Sequence, residues 1–471
     1  MLPTPKNYAI YPAVIEANRP VEMVIAPAER VYLCPEGQEY TVKIYPVDGD
    51  EPCYHTPTAR TVFTVTAKDG VLRFTHTFEG EQEHLVQLEL NEKRIWEGVV
   101  YSLYPDLLDL VPLRGDFHGH SHRSDGKRDP AALAGHYREQ GYDFFSLTDH
   151  NRFYTGGEYD EVFANVKTEF FRVPGEEVHS PDSIVHIVRV GGDTGVANEY
   201  IHNREAYDAI IAEYETRVPA DLPEQYRGRY ARAMWATDAI HKAGGLAIFA
   251  HPYWRPGNRV HNVRDELAKR LLTSGMFDAY ELVGGMGQVG VNRSVALWND
   301  LRADGLRISV VGSSDVHGIE KAGTFPHYFT VCFAQSKSPE DVIAAVKAGH
   351  CVAVEAQGAD YGRQNRCYGS LRLVSYAQFL LTHFYPHFQR ICQCEGVAMR
   401  QYAMNEAPAA LVELCAAQSA DFRDRFFGKK PPVLPDGAML AFEEKWRARQ
   451  IEEGPITKGS AVDGDVITRQ I

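Results

Sequence analysis

The sequence predicts an α/β protein: a central domain of alternating strands and helices, a β-sandwich-like domain before it and a helical extension after it. Three observations carry this. Residues 1–110 are a series of short, alternating apolar runs broken by turn formers. From Pro112 to about Glu355, apolar runs alternate with helical segments, as βα units require. From 357 onward the stretches YAQFLLTHFYPHFQ and AALVELCAAQ read as helices, followed by a Gly/Pro/Asp-rich tail from Gly454.

In the N-terminal part (1–110), strands are expected at 21–25, 40–45, 61–66, 71–77 and 84–90, with turns at Asp48-Gly49 and Asp69-Gly70. The second Asp-Gly, between TVTAK and VLRFT, is a hairpin signal. In the central domain (111–356), strands are expected at 144–147, 170–173, 184–190, 246–250, 279–283, 308–311 and 328–333. Helices are expected at 130–140, 234–242, 263–272, 293–302 and 339–348. Pro130 and Pro339 sit where a first helical turn tolerates proline, and Gly141, Gly244, Gly305 and Gly349 suit helix ends. The charged stretch 191–235 reads as a helical insertion able to overhang a site. Residues 357–471 form the expected C-terminal extension and tail.

Composition narrows the function classes. A hydrophobic fraction of 44% in 471 residues supports more than one sizeable core. A net charge of -14 argues against long nucleic acids as partners. Eight cysteines without regular spacing read as reduced thiols, and Cys392-x-Cys394 lacks neighbours with which to build a metal site. The beginning of the chain has no basic region leading into an apolar core, and no apolar run nears the roughly 20 residues of a membrane span. A cytoplasmic enzyme is the expectation.

The chemistry concentrates at strand ends. In Asp116-Phe117-His118-Gly119-His120-Ser121, strand alternation puts Asp116, His118 and His120 on one face, and Asp125 in the following Ser124-Asp125-Gly126 can add an oxygen. Thr148-Asp149-His150 closes an apolar strand; His150 points from its end and Asp149 faces the other way, as a supporting residue. Gly175-Glu176-Glu177 offers a carboxylate able to bridge cations, and either glutamate fits. His186 lies among β-branched residues and needs a partner. His251-Pro252 and Ser313-Ser314-Asp315-Val316-His317-Gly318 each follow an apolar strand, with Asp315 and His317 on a shared face. Imidazole with carboxylate and no thiolate suits Zn, Mn or Fe. So many ligands exceed one tetrahedral ion, so two or three divalent ions are expected.

These motifs, in this order, resemble the PHP (polymerase and histidinol phosphatase) family of metal-dependent hydrolases across residues 112–355. The N-terminal β segment and the closing AVKAGHCVAVE look similar to its CehA/McbA-like branch. The resemblance implies a distorted (β/α)7 barrel with a two- or three-metal site. It implies the ligands His118, His120, Asp125, His150, Glu177, His186, His251, Asp315 and His317. Glu177 fits the Gly-x-Glu pattern better than Glu176, and His179 rivals His186. The implied activity is phosphoester hydrolysis by a metal-activated water on a small phosphorylated metabolite or short oligonucleotide. Arg152 and Arg255, each just behind an implied ligand, are candidates to clamp phosphate. A CehA-like ester, carbamate or amide hydrolase and a non-catalytic metal-binding module are the alternatives.

Overall fold

The computed structural model describes residues 7–48, 60–154, 156–257, 260–319, 324–357 and 364–453. Gly49 of the first Asp-Gly turn, Cys53 and the tail from Gly454 lie outside them. The chain divides into two units: Asp109–Phe422, and Pro3–Leu108 with Arg423–Ile471. The stretch 357–471, expected as one extension, is thus shared between them.

The N-terminal strands are β1 (Tyr8–Tyr11), β2 (Val14–Glu16), β3 (Pro20–Pro27), β4 (Glu39–Pro46), β5 (Thr61–Thr66), β6 (Leu72–Thr77), β7 (Gln82–Leu90) and β8 (Lys93–Leu103). They form a three-stranded sheet, β1-β3-β6, and a five-stranded sheet, β2-β8-β7-β4-β5. Met23, Ile25 and Phe74 from the first join Val42, Ile44, Val86, Leu88 and Val100 from the second in one buried core. This is the packing of two sheets face to face.

The Asp69-Gly70 hairpin is a correction. The turn forms, with reciprocal backbone bonds between Lys68 and Val71 and positive φ at both central residues. The strands it joins part at once, β5 pairing with β4 and β6 with β3. The tight hairpin instead joins β7 to β8 through Asn91 and Glu92, at φ 51° and 62°. That two-residue turn has no glycine to announce it.

The other unit is mixed α/β. Its strands are β9 (Val111–Asp116), β10 (Phe144–Leu147), β11 (Phe171–His179), β12 (His186–Val190), β13 (Leu246–Phe249), β14 (Ala279–Val283), β15 (Ser309–Gly312), β16 (Tyr328–Ala334), β17 (Cys351–Gln357) and β18 (Gln364–Tyr368). They make one sheet in the order β15-β14-β13-β12-β11-β10-β9-β16-β17-β18. The seven strands β9 to β15 lie side by side in chain order, and all neighbours among them are parallel except β12, antiparallel to both β11 and β13. β16 runs antiparallel to β9. The sheet curls so that Thr330 Oγ1 of β16 accepts from Gly312 N–H at 3.0 Å and donates to its carbonyl at 2.8 Å, a side-chain seam between β16 and β15. The result is barrel-like.

Pro130 opens the helix Pro130–Glu139 behind the cap Asp129, and Pro339 opens Pro339–Lys347 behind Ser338. The insertion is helical at Asn198–His202 and Arg204–Thr216, and a longer helix, Glu224–Lys242, absorbs the segment expected to start at Met234. Beyond the sheet, Tyr385–Ala403 packs on Pro130–Glu139. There the fully buried Arg138 donates to Glu395 Oε2 at 2.8 Å and Ser419 Oγ at 2.7 Å, while Glu395 Oε1 accepts Glu169 N–H. No described helix is long and apolar enough to cross a membrane.

Candidate metal centre

Glu177 is the hub. It is 1% exposed, near the end of β11, and six imidazole nitrogens surround its carboxylate. Oε2 lies 3.3 Å from His118 Nε2, 3.3 Å from His120 Nε2 and 2.9 Å from His150 Nδ1. Oε1 lies 3.1 Å from His179 Nε2, 3.0 Å from His186 Nδ1 and 3.1 Å from His251 Nε2. Asp315 Oδ1 adds a second carboxylate, 3.4 Å from His118 Nε2 and 3.1 Å from His120 Nε2. At the rim, Asp125 Oδ2 is 3.4 Å from His150 Nε2 and 3.2 Å from His317 Nε2.

All nine residues implied as ligands therefore meet in one cluster. The choice between Glu176 and Glu177 is resolved by strand alternation. Glu176 faces away, its oxygens accepting from Val196 N–H at 2.9 Å and Ala197 N–H at 3.1 Å, and so anchors the start of the insertion. The choice between His179 and His186 dissolves. The two are directly paired across β11 and β12, their ring centres are 3.6 Å apart, and both reach Glu177. Arg152 and Arg255 are exposed, with Arg255 Nη2 3.3 Å from His261 Nε2. Among the described residues, the structure brings neither into contact with the cluster.

One support escaped the sequence reading, and a second, Asp116, was read there on the face of His118 but not as a support. Glu281, fully buried on β14, sits 2.9 Å from His118 Nδ1 and so directs Nε2 of that ring into the cluster. Its signal was a carboxylate in the otherwise apolar AYELV. Asp116 shares its face with His118 yet turns under the site. It accepts from His118 N–H, Ser314 N–H and Tyr137 O–H at 3.1, 3.0 and 2.8 Å. Burial, partly offset by these donors, pushes its carboxyl up to about 6. Asp149 holds the loop below Asp125 by accepting from Ser121 N–H and Oγ and from Ser124 Oγ, the supporting part its orientation suggested.

Two residues of the cluster adopt backbone that side chains rarely take: His251 at φ 21° and Asp315 at φ 53°. Asp315 fits because Gly285 faces it; a Cβ there would stand 2.5 Å from Asp315 Oδ2.

Burial alone would strip the proton from His118 and His120, but Asp315 and Glu177 outweigh it, with Glu281 also acting on His118. His118 is raised well above the usual histidine range and His120 to about 9. Glu177 and Asp315 are correspondingly held ionised, well below the carboxylate range, despite burial. His186 goes the other way, to about 4, because burial outweighs Glu177.

This donor set fits divalent ions. Buried polar atoms without a hydrogen-bond partner include His118 Nε2, His120 Nδ1, His150 Nδ1, His179 Nε2, His186 Nδ1 and Glu177 Oε2, which cluster around one space. Buried polar groups are nearly always partnered, so such a concentration marks a place for ions. Three groupings have ligand atoms mutually within 4.8 Å: His120, Asp125, His150 and His317; His118, Glu177, His251 and Asp315; and His150, Glu177 and His179. Imidazole and carboxylate without thiolate suit Zn, Mn or Fe.

No family model matches the chain, and no curated protein matches it. Solved structures do. A two-domain protein from Bacteroides vulgatus containing a predicted PHP-like metal-dependent phosphoesterase is 18% identical, with a TM-score of 0.33 over 52% of this chain and 65% of that one. A chain assigned by name as a metal-dependent phosphoesterase, from Bifidobacterium adolescentis, is 20% identical, with a TM-score of 0.31 over 44% of this chain and 89% of that one. An amidohydrolase from Chromobacterium violaceum, with bound sulfate and no metal, is 22% identical, with a TM-score of 0.30 over 45% and 89%.

Proposed function

We propose that this protein is a metal-dependent hydrolase that acts on a small phosphoester through two or three divalent ions. The observation that carries the reading is the carboxylate of Glu177, with three imidazole nitrogens within 3.3 Å of each oxygen. A single buried carboxylate so surrounded is the arrangement of a bridging ligand.

On this reading His118, His120 and Asp315 would hold one ion, His186 and His251 a second, and Asp125, His150 and His317 a third, with Glu177 available to more than one of them. Bound there, divalent ions supply Lewis acidity: they lower the pKa of water and offset phosphoryl charge. The chain's own part is placement. Glu281 fixes the His118 ring, and Asp116 ties the backbone of His118 to that of Ser314 beside Asp315. Exposure rises from the floor to Asp125 and His317, whose side chains are 53% and 39% exposed, so substrate reaches the cluster from that rim. The acidic chain favours a small metabolite or short oligonucleotide over long nucleic acid.

The test is hydrolysis of p-nitrophenyl phosphate, bis(p-nitrophenyl) phosphate and p-nitrophenyl acetate by protein loaded with Zn or Mn. Phosphoester turnover that disappears on chelation is expected. Turnover of the acetate alone would replace the reading with a CehA-like carbon-ester, carbamate or amide hydrolase. A metal-retaining protein inert toward all three would be a binding module.

A further inference from the structure

Glu177 Oε1 has one imidazole more than the resemblance supplies. We infer that His179 is itself a metal ligand, so that the ion on this side of Glu177 is held by His179 as well as His186 and His251. The inference rests on the metal-hydrolase reading and names a residue outside its implied ligand set.

Four observations carry it. His179 Nε2 is a buried polar atom without a hydrogen-bond partner, 3.1 Å from Glu177 Oε1. Its ring centre lies 3.6 Å from that of His186, whose Nδ1 is 3.0 Å from the same Glu177 oxygen. The antiparallel register sets His179 directly opposite His186, so both rings leave the ladder on one face. And the backbone at His179 is fixed: Asn151 Oδ1 accepts its N–H at 2.8 Å and also the hydroxyl of Tyr200, from the insertion, at 2.6 Å. Asn151 follows His150 directly and holds φ 53°. One amide oxygen therefore ties together two histidines of the cluster and the helix Asn198–His202.

Chemistry gives the consequence. A third neutral nitrogen on an ion that shares only one carboxylate oxygen shifts preference away from oxygen-loving Mn and toward Zn, Co or Fe. The class of ligand is thus a borderline divalent cation at this position.

The experiment compares full-length wild type, His179→Asn and His186→Asn, each made metal-free, loaded with Zn or Co and dialysed. Metal content is measured by mass spectrometry and Co coordination by visible absorption. The expected result is that His179→Asn loses about one equivalent of Zn or binds it at least about tenfold more weakly, with weaker Co absorption. An unchanged Zn content and Co spectrum in His179→Asn, with loss in His186→Asn, overturns the inference and leaves the hydrolase reading standing. Wild type that retains no ion overturns both. Should His179→Asn not fold, diethyl pyrocarbonate labelling of wild type decides instead. His179, with a side chain 29% exposed, should lose reactivity on Zn loading. Equal labelling with and without Zn rejects the assignment.

Discussion

Replacing Glu281 by Gln tests whether the cluster is set by its support as well as by its ligands. Glu281 is fully buried and its Oε2 lies 2.9 Å from His118 Nδ1. As a carboxylate it only accepts, which obliges His118 to carry a proton on Nδ1 and to present the Nε2 lone pair to an ion. An amide of nearly the same volume can donate as readily as accept, so the ring loses its enforced tautomer while the packing is kept. Loss of such a partner typically weakens metal binding 10- to 100-fold, about 1.4–2.7 kcal/mol. The measurement is Zn affinity by competition with a chromophoric chelator, beside the melting temperature of the metal-free protein. Expected is weaker binding together with a smaller loss of metal-free stability, because His118 Nδ1 loses the carboxylate that faces it in the buried pair. Zn affinity within twofold of wild type would refute the reasoning. A fall in metal-free stability equal to the loss of affinity would assign Glu281 to folding alone.

Gly285→Ala should disable the site sterically, because its Cβ would meet Asp315 Oδ2 at 2.5 Å. A loss of about 1–3 kcal/mol in stability, or of bound Zn, is expected from denaturation and metal analysis. Zn binding to metal-free protein at pH 7 should release protons, since His118 and His120 are held protonated, the latter up to about 9. Calorimetry in buffers of different ionisation enthalpy reads this, and buffer-independent heats would contradict it. His84 in the sandwich is 3% exposed and burial drives it down to about 4, so the fold refuses a proton that the unfolded chain accepts from 6.5 downward. Its stabilisation is complete above 6.5 and lost as pH falls toward 4, at most about 3 kcal/mol. Urea unfolding of His84→Gln should vary less with pH than wild type over that window, and identical slopes would dismiss this role.

How far the sequence could be read depended on range. Most of the residues gathered around Glu177 were visible because they close or directly follow apolar strands, a pattern carried by a few adjacent positions; His186, which opens β12, and Asp125, in a loop, were not marked in this way. Strand alternation is equally local, and it is what separates Glu176 from Glu177. The two histidines of the β11–β12 pair were not separable, because which residue faces which depends on the ladder register. Glu281 was passed over for the complementary reason: a lone acid within AYELV gains its meaning only from His118, 163 positions away. The Asp69-Gly70 turn shows the same boundary. Its backbone shape follows from two residues, whereas the sheets that receive β5 and β6 are decided by long-range pairing.

Arg138 reaches across to Glu395 and Ser419 from the first helix after β9. Its guanidinium is sealed from water, so it depends on a carboxylate supplied some 250 positions later in the chain. Trimming the polypeptide where the sheet ends, near residue 368, would remove Glu395 and Ser419 and leave that guanidinium only Asp143, 3.5 Å away, and the carbonyl of Tyr142. The smallest piece of this unit worth expressing on its own therefore runs through Phe422. Shortened versions should precipitate or melt early, whatever the condition of their ion-holding residues.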